Sequence, residues 1–265
     1  EMFRSAKRVY RDVMLFTIIA GVLLMAGMAV FSGFISGTLL LEPKGYLAVA
    51  AVAPAVFLSA VMGMMRGYFQ GMGTMVPAVH SRLVEKVIQF GASLLLGSAF
   101  YSYGEKVAAL LKTPEFAAAY GAAGAALGLS VACFFGLLHM IFIRMVYAKP
   151  FRRQLERDNT KYAESNVQIF LMFFQTALPY MLCALLYNMN YLVDQRIFNY
   201  AMNVQEKGGL KTEHWGVYYG KYSVVIGLAA TLCAYVAAMG IPRVIQLKEK
   251  QEHREAQFRF GNLVH

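Results

Sequence analysis

Along this chain, long charge-free apolar blocks alternate with short stretches that hold nearly all the charge. Residues 13–41, 46–65, 87–103, 116–143, 167–193 and 222–241 contain no Asp, Glu, Lys or Arg. A helix of about 20 apolar residues crosses a hydrocarbon core of about 30 Å. The six blocks therefore predict six spanning helices, and the fold class expected is all-α, a polytopic transmembrane helix bundle.

Composition supports this pattern. Hydrophobic residues make up 58% of the 265 and charged residues only 15%, and the mean hydropathy is +0.48. The formal charge of +10 does not point to nucleic acid, because the basic residues lie between apolar blocks and not on one face of a soluble unit. Tested against the positive-inside rule, the six spans place 18 of the 25 Lys and Arg residues on one side, at 4–11, 66–86, 144–161 and 243–259. Seven fall on the other, and both ends of the chain are expected to be cytoplasmic. The chain opens at Glu1 in an already charged flank and is expected to be a piece of a longer protein. Cys133, Cys183 and Cys233 all lie inside apolar blocks without a CxxC pair, and are expected to be small buried hydrophobes.

Within the blocks, Gly124 and Gly128 in an alanine-rich run predict a tight helix-packing face. Gly33 and Gly37 read equally as such a face or as ordinary glycine use. Pro54 and Pro179 predict kinks, tolerated where a neighbour re-satisfies the freed carbonyl. His139 reads as a hydrogen-bonded interface residue, with a proton relay as the alternative. The stretch 144–165 is the strongest composition break, with six basic and three acidic residues, and reads as a surface helix or solvated linker. Trp215, Tyr218, Tyr219 and Tyr222 form an aromatic cluster suited to a membrane interface.

The most informative stretch is Arg66-Gly-Tyr-Phe-Gln-Gly-Met-Gly-Thr-Met-Val-Pro77, running on to Glu85-Lys86. Arg66 follows the second apolar block. Gly67, Gly71 and Gly73 predict a tight reversal there, and Pro77 suits the first turn of the next helix.

The residues Arg66, Gly67, Tyr68, Gln70, Gly71, Met75, Pro77, Ser81 and Glu85 resemble the signature of the SpoVB-like branch of the MOP (multidrug/oligosaccharidyl-lipid/polysaccharide) superfamily, similar to MurJ-type lipid II flippases. Asp194 and the run Tyr219-Gly-Lys-Tyr222 are similar to later family positions. The chain departs from the pattern at Ala78-Val79, Arg82 and Lys86. The resemblance implies a two-lobe transporter of 12–14 helices, of which this chain represents helices three to eight. Residues 1–148 then form the second part of the first lobe, 149–165 a basic cytoplasmic linker, and 166–265 the start of the second lobe with a charged tail. It also implies transport of an undecaprenyl-pyrophosphate-linked oligosaccharide or peptidoglycan precursor across the bacterial plasma membrane by alternating access. The implied partners are that lipid-linked sugar, membrane lipids, and a coupling cation (H+ or Na+) or the membrane potential. No cofactor and no nucleic acid are implied.

From the residues themselves, no His/Asp/Glu group has metal-ligand spacing and no nucleophile sits beside a base. An enzyme is not expected. Charges at the ends of spans are the default functional candidates. Asp194, Arg196 and Lys221, with Asn190 and Gln175 as neutral hydrogen-bonding groups, are the candidate substrate contacts; the competing reading makes the three charged residues interfacial anchors. Arg66, Gln70 and Glu85 read either as a cytoplasmic gate or as topology and turn geometry. A cation-coupled drug exporter, a membrane glycosyl- or acyltransferase and a non-transporting scaffold remain the alternatives.

Overall fold

The computed structural model describes residues 3–71, 74–156, 166–205 and 211–227. Among these residues all regular structure is helical: α1 Phe3–Val30, α2 Ser32–Phe34, α3 Tyr46–Gly71, α4 Val76–Leu111, α5 Glu115–Glu156, α6 Asn166–Val204 and α7 Lys211–Val217. Five stretches are long and apolar enough to cross a membrane: Arg8–Val30, Pro43–Gly71, Val76–Leu111, Glu115–Tyr147 and Phe170–Val204. The sixth expected span, 222–241, lies outside the described residues from 228 onward, as do 157–165 of the basic stretch. Contacts divide the chain into two compact units, Glu1–Arg196 and Ile197–His265, and each is described by itself.

The helices outrun the apolar blocks that predict them. The loop expected at 104–115 is mostly helix. α4 continues to Leu111, Lys112 turns the chain with φ of 53°, and α5 starts at Glu115. Backbone hydrogen bonding inside a helix satisfies each N–H and C=O wherever the chain leaves the bilayer, so a charged end extends the helix more readily than it breaks it. The first block behaves differently: α1 ends at Val30, and after α2 a π-helical turn at Ile35–Leu39 leads to Leu41, which has φ of 54°.

The core of the first unit lies between α3 and α5. Ala55, Met62, Met65 and Phe69 of α3 meet Cys133 and Met140 of α5. Cys133 is a buried hydrophobe as expected, but Cys183 is exposed. It sits on α6, nearly all of whose side chains face outward, including Leu171, Met181, Leu182 and Leu186. Such a surface is untenable in water and ordinary in hydrocarbon. α6 meets α1 through Phe16, whose ring centroid is 5.5 Å from Phe174 and 6.2 Å from Phe170.

α4 and α5 form the closest pair. A Cβ added at Gly128 would sit 2.5 Å from the Ser93 backbone, one at Gly104 would meet Tyr120 and Ala117 at 2.7 and 3.0 Å, and one at Gly124 would overlap the Leu96 carbonyl. The predicted packing face is therefore present. Gly33 and Gly37 have nothing within 4 Å of an added Cβ and pack against no described residue. Ser93 adds a hydrogen bond across the α4–α5 contact, donating to the Ala125 carbonyl at 3.0 Å.

Pro54 lies inside α3 and deprives the preceding turn of a donor. Ser130 of α5, itself buried, donates its hydroxyl to the Ala51 carbonyl at 2.8 Å, within the turn that Pro54 disturbs. Replacing Ser130 with Ala is expected to destabilise the bundle by about 1 kcal/mol, the usual size of an interhelical hydrogen bond in a membrane. A restored stability in the double variant Ser130→Ala/Pro54→Ala, read by thermal unfolding in lipid nanodiscs, checks that the two residues act on the same turn.

At the end of the bundle remote from Arg66, Lys44 in the short turn Pro43–Gly45 pairs with Glu115 at the start of α5. Its ammonium also lies 5.6 Å from the Phe116 ring centroid. This contact is exposed and contributes well under about 1 kcal/mol. Gly45 beside it packs closely, since an added Cβ would lie 2.8 Å from Ser36 Oγ and displace that hydroxyl.

Candidate functional site

Gly67 and Gly71 do not form the reversal expected of them, and Gly73 lies outside the described residues. Arg66, Gly67, Tyr68, Phe69, Gln70 and Gly71 are the last turns of α3, and α4 begins at Val76. Gly67 and Gly71 do not have positive φ, and a Cβ on either would meet nothing within 4 Å. Glycine inside a helix costs about 1 kcal/mol relative to alanine, less than the burial of Met65 and Phe69 on the same segment returns. Tertiary packing thus carries the helix through both glycines. Pro77 fulfils its expected role in the first turn of α4 and is buried there.

That extra length of α3 holds Arg66 against α4. Its Nη2 donates to Glu85 Oε2 at 2.7 Å and its Nε donates to Ser81 Oγ at 2.6 Å. Nη2 also approaches Met62 Sδ at 3.2 Å. The Ser81 hydroxyl in turn donates to the Ala78 carbonyl at 3.1 Å. Ser81 and Glu85 are four residues apart, so they share one face of α4 and receive one guanidinium together. The side chains of Arg66 and Glu85 are only 13% and 11% exposed. A pair so nearly removed from water is held by charge and hydrogen-bond satisfaction on both sides.

Next to it stands an aromatic and basic contact joining α1, α3 and α5. The Arg144 guanidinium carbon lies 4.4 Å from the Tyr10 ring centroid, and Arg144 donates to the Tyr10 hydroxyl. The Tyr10 and Tyr68 rings are 4.6 Å apart, and Phe69 packs edge-on against Tyr147 at 5.8 Å. His80 and His139 stack at 5.7 Å with an interplanar angle of 23°, which puts His139 at the contact of α4 and α5. His139 Nε2 is buried without a hydrogen-bond partner.

Of the residues that carried the resemblance, the structure joins Arg66, Ser81 and Glu85 directly, sets Tyr68 into the neighbouring ring stack and leaves Gln70 exposed. The second set is dispersed. Gln175, Asn190, Asp194 and Arg196 are all exposed on α6. Gln175 and Asn190 are 15 residues apart, about 22 Å along a helix. Asn190 and Asp194 share a face at four-residue spacing, whereas Asp194 forms no ion pair with Arg196 among the described residues. Lys221 belongs to the second compact unit. Tyr10 and Arg144, 134 positions apart, meet through tertiary packing alone, and no local pattern could have joined them. Ser81 with Glu85 was the one readable signal, a polar pair at helical spacing behind a helix-starting proline.

The helices and their outward apolar surfaces define a class: an all-α, multi-pass membrane protein. Within that class the chain is similar to Stage V sporulation protein B of Bacillus subtilis (strain 168), with 26% identity over 149 residues. The match covers 56% of this chain and 26% of that protein, so it spans about a quarter of the relative's length. No protein-family model matches the chain, and no solved structure matches it at a significant level.

Proposed function

We propose that this chain is part of a MOP-superfamily transporter that moves a lipid-linked oligosaccharide or peptidoglycan precursor across the bacterial plasma membrane by alternating access. The observation that carries the reading is the similarity to Stage V sporulation protein B, in a chain whose helices suit repeated membrane crossing. In this reading residues 1–148 complete one lobe, 149–165 link the lobes at the cytoplasmic face, and 166–265 begin the other, with both ends of the chain cytoplasmic. Arg196 and Lys221 are each a candidate contact for the pyrophosphate, since cations at span ends are suited to an anion crossing beside them. Asp194 is a further candidate contact, and Asn190 and Gln175 offer neutral hydrogen bonds. Gly67, Gln70 and Gly71 lie on the open face of the end of α3, where a second lobe rocks against the first, and Arg66 and Glu85 keep that end rigid. A cation gradient (H+ or Na+) or the membrane potential drives the cycle.

The test is transport of a fluorescent undecaprenyl-pyrophosphate saccharide by the full-length protein in proteoliposomes. Arg196→Ala and Lys221→Ala are each expected to lower the initial rate at least about tenfold, the loss of one charge-assisted contact of about 1.5–3 kcal/mol. Unchanged rates in both variants, with wild-type protein active, overturn the site. An inactive but folded wild type overturns the function.

A further inference from the structure

The second compact unit carries an aromatic feature of which the transport reading above uses only Lys221. α7 runs straight into a π-helical turn at Tyr218–Tyr222, and the aromatic side chains of this segment are already assembled. The Trp215 ring lies 4.9 Å from Tyr219, 5.7 Å from Tyr218 and 5.1 Å from Phe198. All three tilt against the indole by 35–37°, neither stacked on it nor edge-on to it. Tyr218 and Tyr222 remain 54% and 63% exposed.

We infer that this cluster is a saccharide-binding platform, taking a neutral pyranose ring of the hexosamine or hexose class. The face of a sugar ring that carries axial C–H groups bears partial positive charge and complements the negative face of an aromatic ring. Its hydroxyls need donors and acceptors at the rim, and Glu213, His214 and Lys221, all exposed, border the rings in sequence. An aromatic that only anchors a helix in the headgroup layer needs no partner ring, whereas rings ordered in advance lower the entropy lost when a ligand stacks on them. The π-turn fits this role, because single π-turns break helical register and are frequent at functional sites. An organic cation would also be drawn to aromatic faces, but Lys221 inside the same turn repels it. The assignment of this sugar to the transported molecule rests on the transport reading; the binding itself does not.

Trp215 is the sole tryptophan of the chain, so intrinsic emission reports this platform alone. The full chain in nanodiscs is titrated with N,N′-diacetylchitobiose while Trp215 emission is followed. A saturable shift is expected, its midpoint moved about tenfold higher by Tyr218→Ala and less than about twofold by Tyr218→Phe, which keeps the ring. Helical circular dichroism, unchanged in both variants, shows that the protein still folds. No saturable response to the sugar overturns the platform. So does an equal response to choline, which marks a cation cage. Quenching by lipids brominated near the headgroup, together with indifference to the sugar, also overturns it and marks a membrane anchor. A sugar response in a protein that transports nothing keeps the platform and removes the transporter; transport without a sugar response does the reverse.

Discussion

Gly128→Leu is expected to prevent α4 and α5 from closing, and Gly128→Ala to destabilise the bundle by about 2–3 kcal/mol. The atoms that an added Cβ would strike are Ser93 N, Cα and Oγ, each 2.5 Å away. Two of the three are backbone, so no rotamer change can clear them and one helix must move bodily. Overpacking in a close-packed interior has this magnitude, and separating the helices would also stretch the Ser93–Ala125 hydrogen bond. In the membrane nothing offsets the lost contact, because lipid offers no hydrophobic force to press two helices together and only close packing holds them. Gly124 stands one turn earlier against the Leu96 carbonyl and the Phe100 Cβ and should be equally intolerant. Gly91→Ala and Gly67→Ala meet open space and are expected to leave stability within about 1 kcal/mol of the wild type, on the favourable side. Thermal unfolding followed by size-exclusion chromatography separates the two groups. Equal tolerance at Gly128 and Gly91 would remove the close α4–α5 contact as the basis of the bundle.

Glu85→Gln is expected to be more damaging than the removal of both charges. It leaves the Arg66 guanidinium largely buried with a neutral partner, and stranding one ion of such a pair costs about 3–5 kcal/mol. In Arg66→Met/Glu85→Leu no buried charge remains, and the packed apolar replacement should recover most of that loss. A double-mutant cycle on unfolding free energies should therefore give a coupling of at least about 1.5 kcal/mol between the two sites. Additive single effects would show that the 2.7 Å contact contributes little and that the residues act separately. Ser81→Ala removes only one of the guanidinium's acceptors and should lie between the wild type and Glu85→Gln.

Much of the architecture was legible from the chain because a bilayer simplifies the code. A charge-free block must be helical to satisfy its backbone, so the helix class and approximate centres follow from charge positions alone. Helix ends were less legible. Gly67 and Gly71 looked like reversal signals, yet backbone propensity is weak against the burial of Met65 and Phe69. The run 104–111 looked like a loop, yet exposed charged residues such as Glu105 and Lys106 are good helix formers. The Gly124–Gly128 face was readable because small residues at four-residue spacing have a direct packing consequence. The direct pairing of Arg66 with Glu85 was not, since the two were grouped only as a gate or as turn geometry and nothing local brings positions 19 apart together. Cys183 was misjudged for a related reason: an apolar neighbourhood in sequence does not say whether the neighbourhood is protein or lipid. For the dispersed polar residues of α6, local sequence shows which groups sit near a span end but not what approaches them in space.

The Arg66–Glu85 pair also bears on how the bundle is made. α3 buries its apolar face mainly against α5, whose first residue is synthesised more than 40 positions after α3 ends. Until then α3 waits in the membrane with a cation at its end. Glu85 emerges only 19 residues behind Arg66, so the two can pair while α5 is still unmade. In that interval Glu85 is the nearer partner in sequence, so the ionic contact does not depend on α5, whereas the glycine seam does.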